Sequence, residues 1–392
     1  MKITPLILLI LALNVSAITL DTVIATALTN NPSLEVINAR LQANKEDITL
    51  TKQFTNPRLT LSSNSIDASE PMSQTILNFS QKIEYYNKRE SKEKVALQEE
   101  KVLQEKLHFA KVALVAKIKE AAYTLWELQA QKKIIEEYVR LTKKNIELFE
   151  SYASVSSNQH MGIMKAELSL ADLGIKNSLL DAKIYTAYSR LSYLASSEIS
   201  HLDIELFMQE EPSFELLKQK LLNNPSLILK DKKIKKQDAK IKLAEINSYP
   251  DFNLLAGYAY REKFDNYFNF GVSLSLPIYA TEERLIQKQK IKKQALREEK
   301  RELHNSLESM LKTYYARLLS SYKVYHIVQD EALPQVAHMF ELSESSVATG
   351  GDLFKYIDVL FSKLKLEQQS ISAVATYKKN QAKISFLAGE LK

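Results

Sequence analysis

The chain has 392 residues, of which only 7 are glycine, 9 are proline and none is cysteine, and its formal net charge is +6. Without cysteine it has no disulfides, no thiol catalysis, no cysteine-based metal sites and no lipid-modified N-terminal cysteine. Charged residues make up 26% of the chain with both signs interspersed, which is typical of solvated helix faces and not of a nucleic-acid-binding surface.

The first 17 residues have the pattern of a secretory signal peptide. Lys2 precedes an apolar run from Leu6 to Leu13, and small residues predict cleavage after Ala17. An uncleaved anchor is the alternative, but the run is shorter than the ~20 residues of a membrane-spanning helix. No later segment approaches that length, so a membrane protein of this sequence would cross the bilayer with strands.

The rest of the chain is an internal duplication. Asn30–Leu34 recurs as Asn223–Leu227, and the same offset of 193 residues (223 minus 30) carries Pro57 onto Pro250. A repeat of this length indicates two equivalent halves and not a solenoid of short units. We therefore predict a signal peptide at 1–17, a first structural repeat at 18–200, a linker at 201–212 and a second structural repeat at 213–392.

Each repeat is predicted to contain a helix, two strands, a long helix, a break and a further helix. The scarcity of glycine and proline favours long elements, and helical spacing of apolar residues marks them. The long helices would each measure on the order of 100 Å, about the summed length of the two shorter helices of their repeat. The predicted helices are Leu20–Gln53, Arg89–Ser157, Met161–Ser196, Phe214–Ile246, Thr281–Ala348 and Leu353–Leu387.

The predicted strands of the second half alternate clearly in character. Apolar and aromatic residues such as Phe252, Tyr258, Phe268 and Phe270 occupy every second position, and small or polar residues lie between them. The strands Arg58–Asn64 and Thr75–Glu84 of the first half show a weaker alternation. The pattern indicates outer-membrane barrel strands, although a soluble sheet packed on helices is the alternative. The helices are expected to pack as coiled-coil-like hairpins above these strands.

These features together resemble the TolC family of outer-membrane efflux proteins over the whole mature sequence. The resemblance rests on the Asn-Asn-Pro start of each half and on four motifs of the second half, namely Ser275–Tyr279, Leu333-Pro334, Gly350 and Phe386–Gly389. Two first-half positions depart from the family pattern. Ser196 stands where glycine is usual, and Asn158–Gly162 is a divergent tip.

The resemblance implies a mainly α fold with a small transmembrane β part. Internally duplicated long helical hairpins would form a periplasmic helical barrel, and four strands per chain would contribute to a trimeric twelve-stranded outer-membrane β-barrel. Four strands alone cannot close a barrel, which independently requires oligomerisation. Lipid would contact Phe252, Tyr258, Phe268 and Phe270, and the watery lumen would be lined by Asn253, Asn269, Ser273 and Ser275.

The implied function is that of an outer-membrane exit duct in a tripartite efflux or type I secretion system. Such a duct is passive, and its expected partners are a periplasmic adaptor (membrane fusion) protein, an RND or ABC inner-membrane pump, outer-membrane lipid and two further copies of the chain. No cofactor and no nucleic acid are expected. The alternative is a soluble periplasmic coiled-coil adaptor or chaperone.

The helix breaks at 154–162 and 347–352 would lie at the periplasmic tip. The resemblance places a gate and an adaptor-docking surface there, with Asn158, Gln159, Gly162, Thr349, Gly350 and Gly351 as docking candidates. Asp358 matches a constriction-lining aspartate of the family motif, and Asp352 and Lys355 lie within a turn of it. A ring of such carboxylates would favour cations. A solvated charge on an exposed helix face is the alternative.

The sequence contains no constellation typical of an enzyme. Its six histidines are scattered without ligand spacing, and no glycine-rich phosphate loop is present. The segment His160–Met164 combines imidazole and thioether groups that suit copper or silver. The favoured interpretation is a helix-hairpin tip whose two methionines fill gaps in the bundle.

Overall fold

The computed structural model describes residues 18–65, 72–152, 157–276, 278–348 and 353–391. The predicted mainly helical fold with four strands is confirmed, and the same order of elements occurs twice. The elements are α1 (Leu20–Asn30), α2 (Pro32–Thr51), β1 (Arg58–Ser63), β2 (Gln74–Ile83), α3 (Lys88–Tyr152), α4 (Ser157–Ala195), α5 (Phe214–Lys220), α6 (Pro225–Asn247), β3 (Phe252–Arg261), β4 (Tyr267–Leu274), α7 (Thr281–His326), α8 (Leu333–Ala348) and α9 (Leu353–Leu387).

The described residues fall into two compact units, each with parts of both repeats. The helical unit combines the described parts of 1–32, 111–219 and 310–392. The sheet unit combines those of 33–110 and 220–309 and contains the four strands. In the described parts of the chain, no helix is both long and apolar enough to cross a membrane.

The first helix of each repeat is divided where the sequence predicted one continuous helix. Asn31, between α1 and α2, has φ −70° and ψ 118°, because the proline that follows disfavours a helical conformation at the preceding residue. Asn224 interrupts the second repeat in the same way, and its side chain accepts a hydrogen bond from the Ser226 amide at 2.9 Å to cap α6. The helix α2 ends at Thr51, two residues before the predicted end near Gln53.

The long helix of the second repeat is not continuous either. Residues Ile327–Ala332 form a π-helical segment between α7 and α8, although the sequence predicted an uninterrupted helix from Thr281 to Ala348. Pro334 follows this segment. Because it has no amide hydrogen to donate to the preceding turn, a wider π-helical turn is tolerated there. The equivalent residue of the first repeat, Leu141, lies within the unbroken α3.

Backbone geometry repeats with the sequence offset. Positive φ angles occur at Asn87 (68°) and Ala280 (52°) before the long helices, and at Ser196 (52°) and Gly389 (75°) after the last helix of each repeat. Each pair is separated by 193 residues (280 minus 87, and 389 minus 196). The left-handed conformation is unfavourable for serine and alanine. The turns nevertheless have the same geometry in both repeats.

A buried polar contact repeats at the same spacing. The Asn44 amide donates to the Ala96 carbonyl at 3.1 Å, and the Gln237 amide donates to the Gln289 carbonyl at 3.0 Å. Both donors are buried, at 4% and 7% exposure, and a buried amide requires such a partner. The same interaction therefore joins α2 to α3 in the first repeat and α6 to α7 in the second.

The four strands form one antiparallel sheet in chain order, so β1 and β4 are its two edges. The register places one apolar set on one face, including the pairs Leu61 with Leu77 and Tyr258 with Phe268. Most residues of the opposite face are small or polar, with Asn78, Gly257 and Asn269 side by side. A Cβ atom at Gly257 would overlap both asparagine side chains, so any larger residue would require these two side chains to move.

An ionic cluster ties the sheet to the adjacent helices inside the sheet unit. The Asp251 carboxylate, just before β3, accepts hydrogen bonds from the Tyr85 amide at 2.9 Å and from Lys88 Nζ at 2.7 Å, and Lys82 Nζ lies 3.0 Å away. Lys88 also donates to the Tyr249 carbonyl at 2.6 Å, and the Tyr85 and Tyr249 rings stack at 4.7 Å.

The charge state of Asp251 follows from this cluster. Burial raises the pKa of this carboxyl, but the hydrogen bonds from Lys88, the Tyr85 amide and Lys82 outweigh it and hold the pKa at about 2, below the ordinary 3.8. A depressed carboxyl pKa stabilises the folded state above the ordinary pKa, and the stabilisation is lost as the pH falls toward the folded-state value.

We expect Asp251→Asn to lower the free energy of unfolding by about 2 kcal/mol at neutral pH. The reason is that asparagine cannot carry the charge that the folded state stabilises, as the carboxyl pKa of about 2 against the ordinary 3.8 indicates. The difference between wild type and variant should shrink as the pH falls from about 4 toward 2. Chemical denaturation of the detergent-solubilised protein at several pH values measures both quantities. Asp172→Asn is the control, since its exposed pair with Lys176 contributes little. A pH-independent difference would contradict the assigned charge state.

Candidate functional site

The helix ends of the helical unit contain most of the predicted site residues. On one side α3 ends at Tyr152 and α4 begins at Ser157; on the other α8 ends at Ala348 and α9 begins at Leu353. Asn158 and Gln159 therefore lie in the first turn of α4, although the sequence predicted a break as far as residue 162. The predicted residues Thr349, Gly350, Gly351 and Asp352 lie outside the described residues.

Gly162 lies against the start of α9. A Cβ atom at this position would be 3.0 Å from Leu353 Cβ and 3.3 Å from Leu353 Cδ2, which is closer than ordinary van der Waals contact. Leu353 is buried at 1% exposure and belongs to a core with Ile163, Ile357 and Leu360. The absence of a side chain at Gly162 thus allows α4 and α9 to approach closely over this core.

Asp358 is not an isolated carboxylate. Its Oδ1 lies 2.5 Å from Lys165 Nζ, and the same ammonium group lies 3.3 Å from the centre of the Phe354 ring. The Asp358 side chain is 60% exposed and that of Lys165 26%. Lys355, the other predicted constriction residue, is exposed on the first turn of α9.

Lys165 was not predicted from the sequence, although the duplication could have identified it. Its number differs from that of Asp358 by 193, so the two residues occupy the same position in the two repeats. Equivalent positions of two packed repeats meet wherever they lie near the local symmetry axis. The ion pair therefore marks a point where α4 and α9 face each other with opposite charges.

A cleft of about 720 Å³ opens beside this core between α3, α8 and α9. Tyr356 Oη accepts a hydrogen bond from the Asn145 amide at 3.1 Å, and the rings of Tyr356 and Phe340 are 5.3 Å apart. Burial raises the pKa of Tyr356, and burial together with the Glu367 carboxylate raises the pKa of Tyr138. Both phenols therefore stay protonated, and neither is prepared to act as a base.

The methionines of the His160–Met164 segment lie on the outward side of α4. Met161 and Met164 are 61% and 56% exposed, whereas Ile163 between them is buried, so within the described residues of one chain they do not fill gaps. Within the described ranges, no group of three or more histidine, aspartate or glutamate side chains is arranged to hold a metal ion.

The four residues predicted to contact lipid share one face of the sheet. Phe252 and Tyr258 are 40% and 37% exposed on β3, and Phe268 and Phe270 are 72% and 82% exposed on β4. Tyr258 and Phe268 are cross-strand partners whose rings lie 5.1 Å apart. An extended exposed apolar face of this kind is rarely left in water.

Comparison with known families gives a match over most of the chain. The family described as outer membrane efflux protein matches residues 23–195 and again residues 216–388. The two matches begin 193 residues apart (216 minus 23), the same offset as in the sequence repeat, so the predicted duplication is confirmed. No curated protein sequence matches the chain.

Solved structures share the fold at low sequence identity. The open state of the MtrE outer membrane channel of Neisseria gonorrhoeae is 16% identical, with a TM-score of 0.78, over 95% of this chain and 89% of that one. The CmeC outer membrane channel of Campylobacter jejuni is 13% identical, with a TM-score of 0.77, over 94% and 85%. The outer membrane protein VceC of Vibrio cholerae is 14% identical, with a TM-score of 0.76, over 95% and 96%.

Two glycines of α4 allow a matched test of the Gly162 contact. A Cβ atom at Gly174 would have no neighbour within 4 Å, so Gly174→Ala should raise the free energy of unfolding by about 0.5–1 kcal/mol through helix propensity. Gly162→Ala gains the same propensity but must displace Leu353, so its gain should be smaller or reversed. Denaturant unfolding measures both. Equal gains at the two positions would show that the contact does not constrain α4 and α9.

Proposed function

We propose that this chain, which belongs to the TolC family of outer membrane efflux channels, is the passive exit duct of a multi-protein export system. It is a transport protein of the outer membrane and not an enzyme, and this membership overturns the alternative of a soluble adaptor or chaperone. In our proposal a periplasmic adaptor connects the chain to an RND or ABC inner-membrane pump. The pump supplies the energy, and the duct provides the path across the outer membrane.

The observation that carries the proposal is the four-stranded sheet with one exposed apolar face and two unpaired edges. Backbone groups at an edge find no partner in lipid, and four strands cannot close on themselves. Pairing of β1 of one copy with β4 of the next would satisfy both edges. Three copies would give twelve strands, and members of this family typically assemble as trimers.

The two faces of the sheet then have different environments. We place Phe252, Tyr258, Phe268 and Phe270 against the lipid, in agreement with their exposure. The opposite face carries Asn253, Asn269 and Ser273 and would line an aqueous lumen, which is the alternation of an outer-membrane barrel. We also retain the proposed boundaries, with a signal peptide at 1–17, repeats at 18–200 and 213–392, and a linker at 201–212.

The absence of cysteine makes disulfide mapping a direct test of the trimer. Within one chain β1 and β4 are separated by three strand spacings, about 14 Å, which exceeds the span of about 7 Å between bridged Cα atoms. A cysteine at Leu61 combined with cysteines placed in turn along β4 should therefore give only bonds between copies. We expect covalent dimers and trimers at the matching registers and no larger product.

Leu77→Cys with Tyr258→Cys is the matched control, because these residues are direct cross-strand partners within one chain. This pair should oxidise without any change in the number of chains. The trimer would be contradicted by covalent ladders beyond three copies, or by the absence of β1–β4 products at every register while the control pair oxidises.

We further propose that the helix ends form the adaptor-docking and pore-constriction region. Asn158, Gln159, Gly162, Thr349, Gly350 and Gly351 would take part in docking, and Asp352, Lys355 and Asp358 in the constriction. The ion pair of Asp358 with Lys165 changes the expected selectivity. Since each Asp358 has a cation of its own chain beside it, a ring of these pairs would carry little net charge.

Charge substitutions at the pair test this assignment. Lys165→Gln should leave three uncompensated carboxylates and increase cation selectivity, and Asp358→Asn should shift selectivity toward anions. The double variant should return to the wild-type value. Reversal potentials of single channels in planar bilayers under a salt gradient measure the effect.

Lys132→Gln serves as the control variant. It removes one partner of an ion pair of the same length, 2.5 Å, that joins α3 to α4 through Asp181. If conducting channels show identical selectivity for wild type, Lys165→Gln and Asp358→Asn, the pair does not line the pore. The exit-duct role itself would stand in that case, because conduction would have been observed.

A further inference from the structure

A cleft of about 590 Å³ in the sheet unit, between α2, α3, α6 and α7, is lined by an excess of basic groups. Its acidic residues are Asp47 and Glu99. Lys233, Lys236 and Lys240 recur at helical spacing on one face of α6. The full basic set of the lining is Arg40, Lys106, Lys233, Lys236 and Lys240.

The duplication shows that this excess arose in the second repeat. Lys240 stands at the position of Asp47 in the first repeat, and Lys292 stands at the position of Glu99. A third lysine, Lys236, replaces the equivalent of Ala43. The first repeat therefore has two carboxylates and a methyl group at positions where the second repeat has three ammonium groups.

The acidic groups present do not neutralise the cluster. Glu99 is engaged by Lys236, and the Glu299 carboxylate lies 2.5 Å from Lys230. Among the described residues, no carboxylate forms a salt bridge with Arg40, Lys106, Lys233 or Lys240. Glu299 also interacts with the charge of Lys233, so the nearby carboxylates offset the positive charge of the cleft only in part.

The environment of Lys240 agrees with this crowding. Burial lowers the pKa of its ammonium group, and the neighbouring charges of Lys236 and Lys292 lower it further, against the opposing effect of Glu99. Like charges held together in a half-buried cleft oppose folding. An anion bound between them would remove this repulsion and form charge-assisted hydrogen bonds.

We propose that this cleft binds a small, multiply charged oxyanion of the phosphate class. Ammonium groups are suited to such ligands as point charges, and the side chains come from three different helices, so they converge on a volume and not on a line. The inference goes beyond export, because the cleft belongs to the sheet unit, whereas the residues proposed for docking and for the constriction belong to the helical unit. Three of these charges are already close together in the lysine-rich sequence of α6, and the fold adds Arg40 and Lys106 from two other helices to the same cleft.

The test uses the full-length protein in detergent with inorganic pyrophosphate as the probe. Isothermal titration at constant ionic strength should give saturable binding to wild type, and thermal unfolding should shift upward with added pyrophosphate. In the double variant Lys233→Gln, Lys240→Gln the dissociation constant should rise by about tenfold or more. The variant should fold, because removing the Lys240 charge relieves repulsion.

Lys288→Gln with Lys290→Gln is the matched control. It removes the same charge from exposed positions of α7 that do not line the cleft, and it should bind pyrophosphate as wild type does. The proposal is overturned if wild type shows no saturable binding, or if the two double variants lose affinity equally. It is also overturned if the site variant changes the number of chains per particle instead, since the cluster would then face carboxylates of a neighbouring copy.

Discussion

The structure depends on one constraint, namely that backbone hydrogen-bonding groups must be paired where no water is available. The four strands satisfy this requirement among themselves but leave the outer sides of β1 and β4 unpaired. The aromatic face also requires an apolar environment, because Phe268 and Phe270 remain 72% and 82% exposed in the single chain. The proposed oligomer would meet both requirements through the sheet, whatever the long helices contribute to it.

The junction between helices and sheet is held by polar interactions. The Asp251 cluster does this with charges, hydrogen bonds and the stacked rings of Tyr85 and Tyr249. An arrangement of this kind is directional, and it fixes the angle at which the chain enters and leaves the strands. Apolar packing, which tolerates small rotations, would specify that angle less well.

Much of the fold could be predicted from the sequence, because the hydrophobic period of each element and the 193-residue repeat can both be read directly from it. The strand predicted from Phe252 to Tyr260 is observed as Phe252–Arg261. The breaks at Asn31 and Asn224 were missed although each precedes a proline. The π-helical segment at Ile327–Ala332 could not be predicted, since it depends on how a long helix is accommodated by its neighbours.

The candidate sites could likewise be predicted only in part. Gly162 was singled out from sequence, but its contact with Leu353 depends on the packing of two helices. The lysines of α6 could have been noticed from the sequence, but the cleft itself could not, because Arg40 and Lys106 are far from them along the chain and only the fold brings them together. The exposed aromatics of β3 and β4 were found correctly as one set because a strand has a period of two.

The ion pair of Lys165 with Asp358 has a meaning for the origin of the duplicated chain. In an exactly symmetric assembly of identical single repeats, two equivalent positions that touch would carry the same residue, so a lysine would face a lysine and an aspartate an aspartate. Fusing two repeats into one chain removes this restriction, and the two copies are free to acquire opposite charges. The pair therefore requires two repeats that differ in sequence, which an assembly of identical repeats cannot provide.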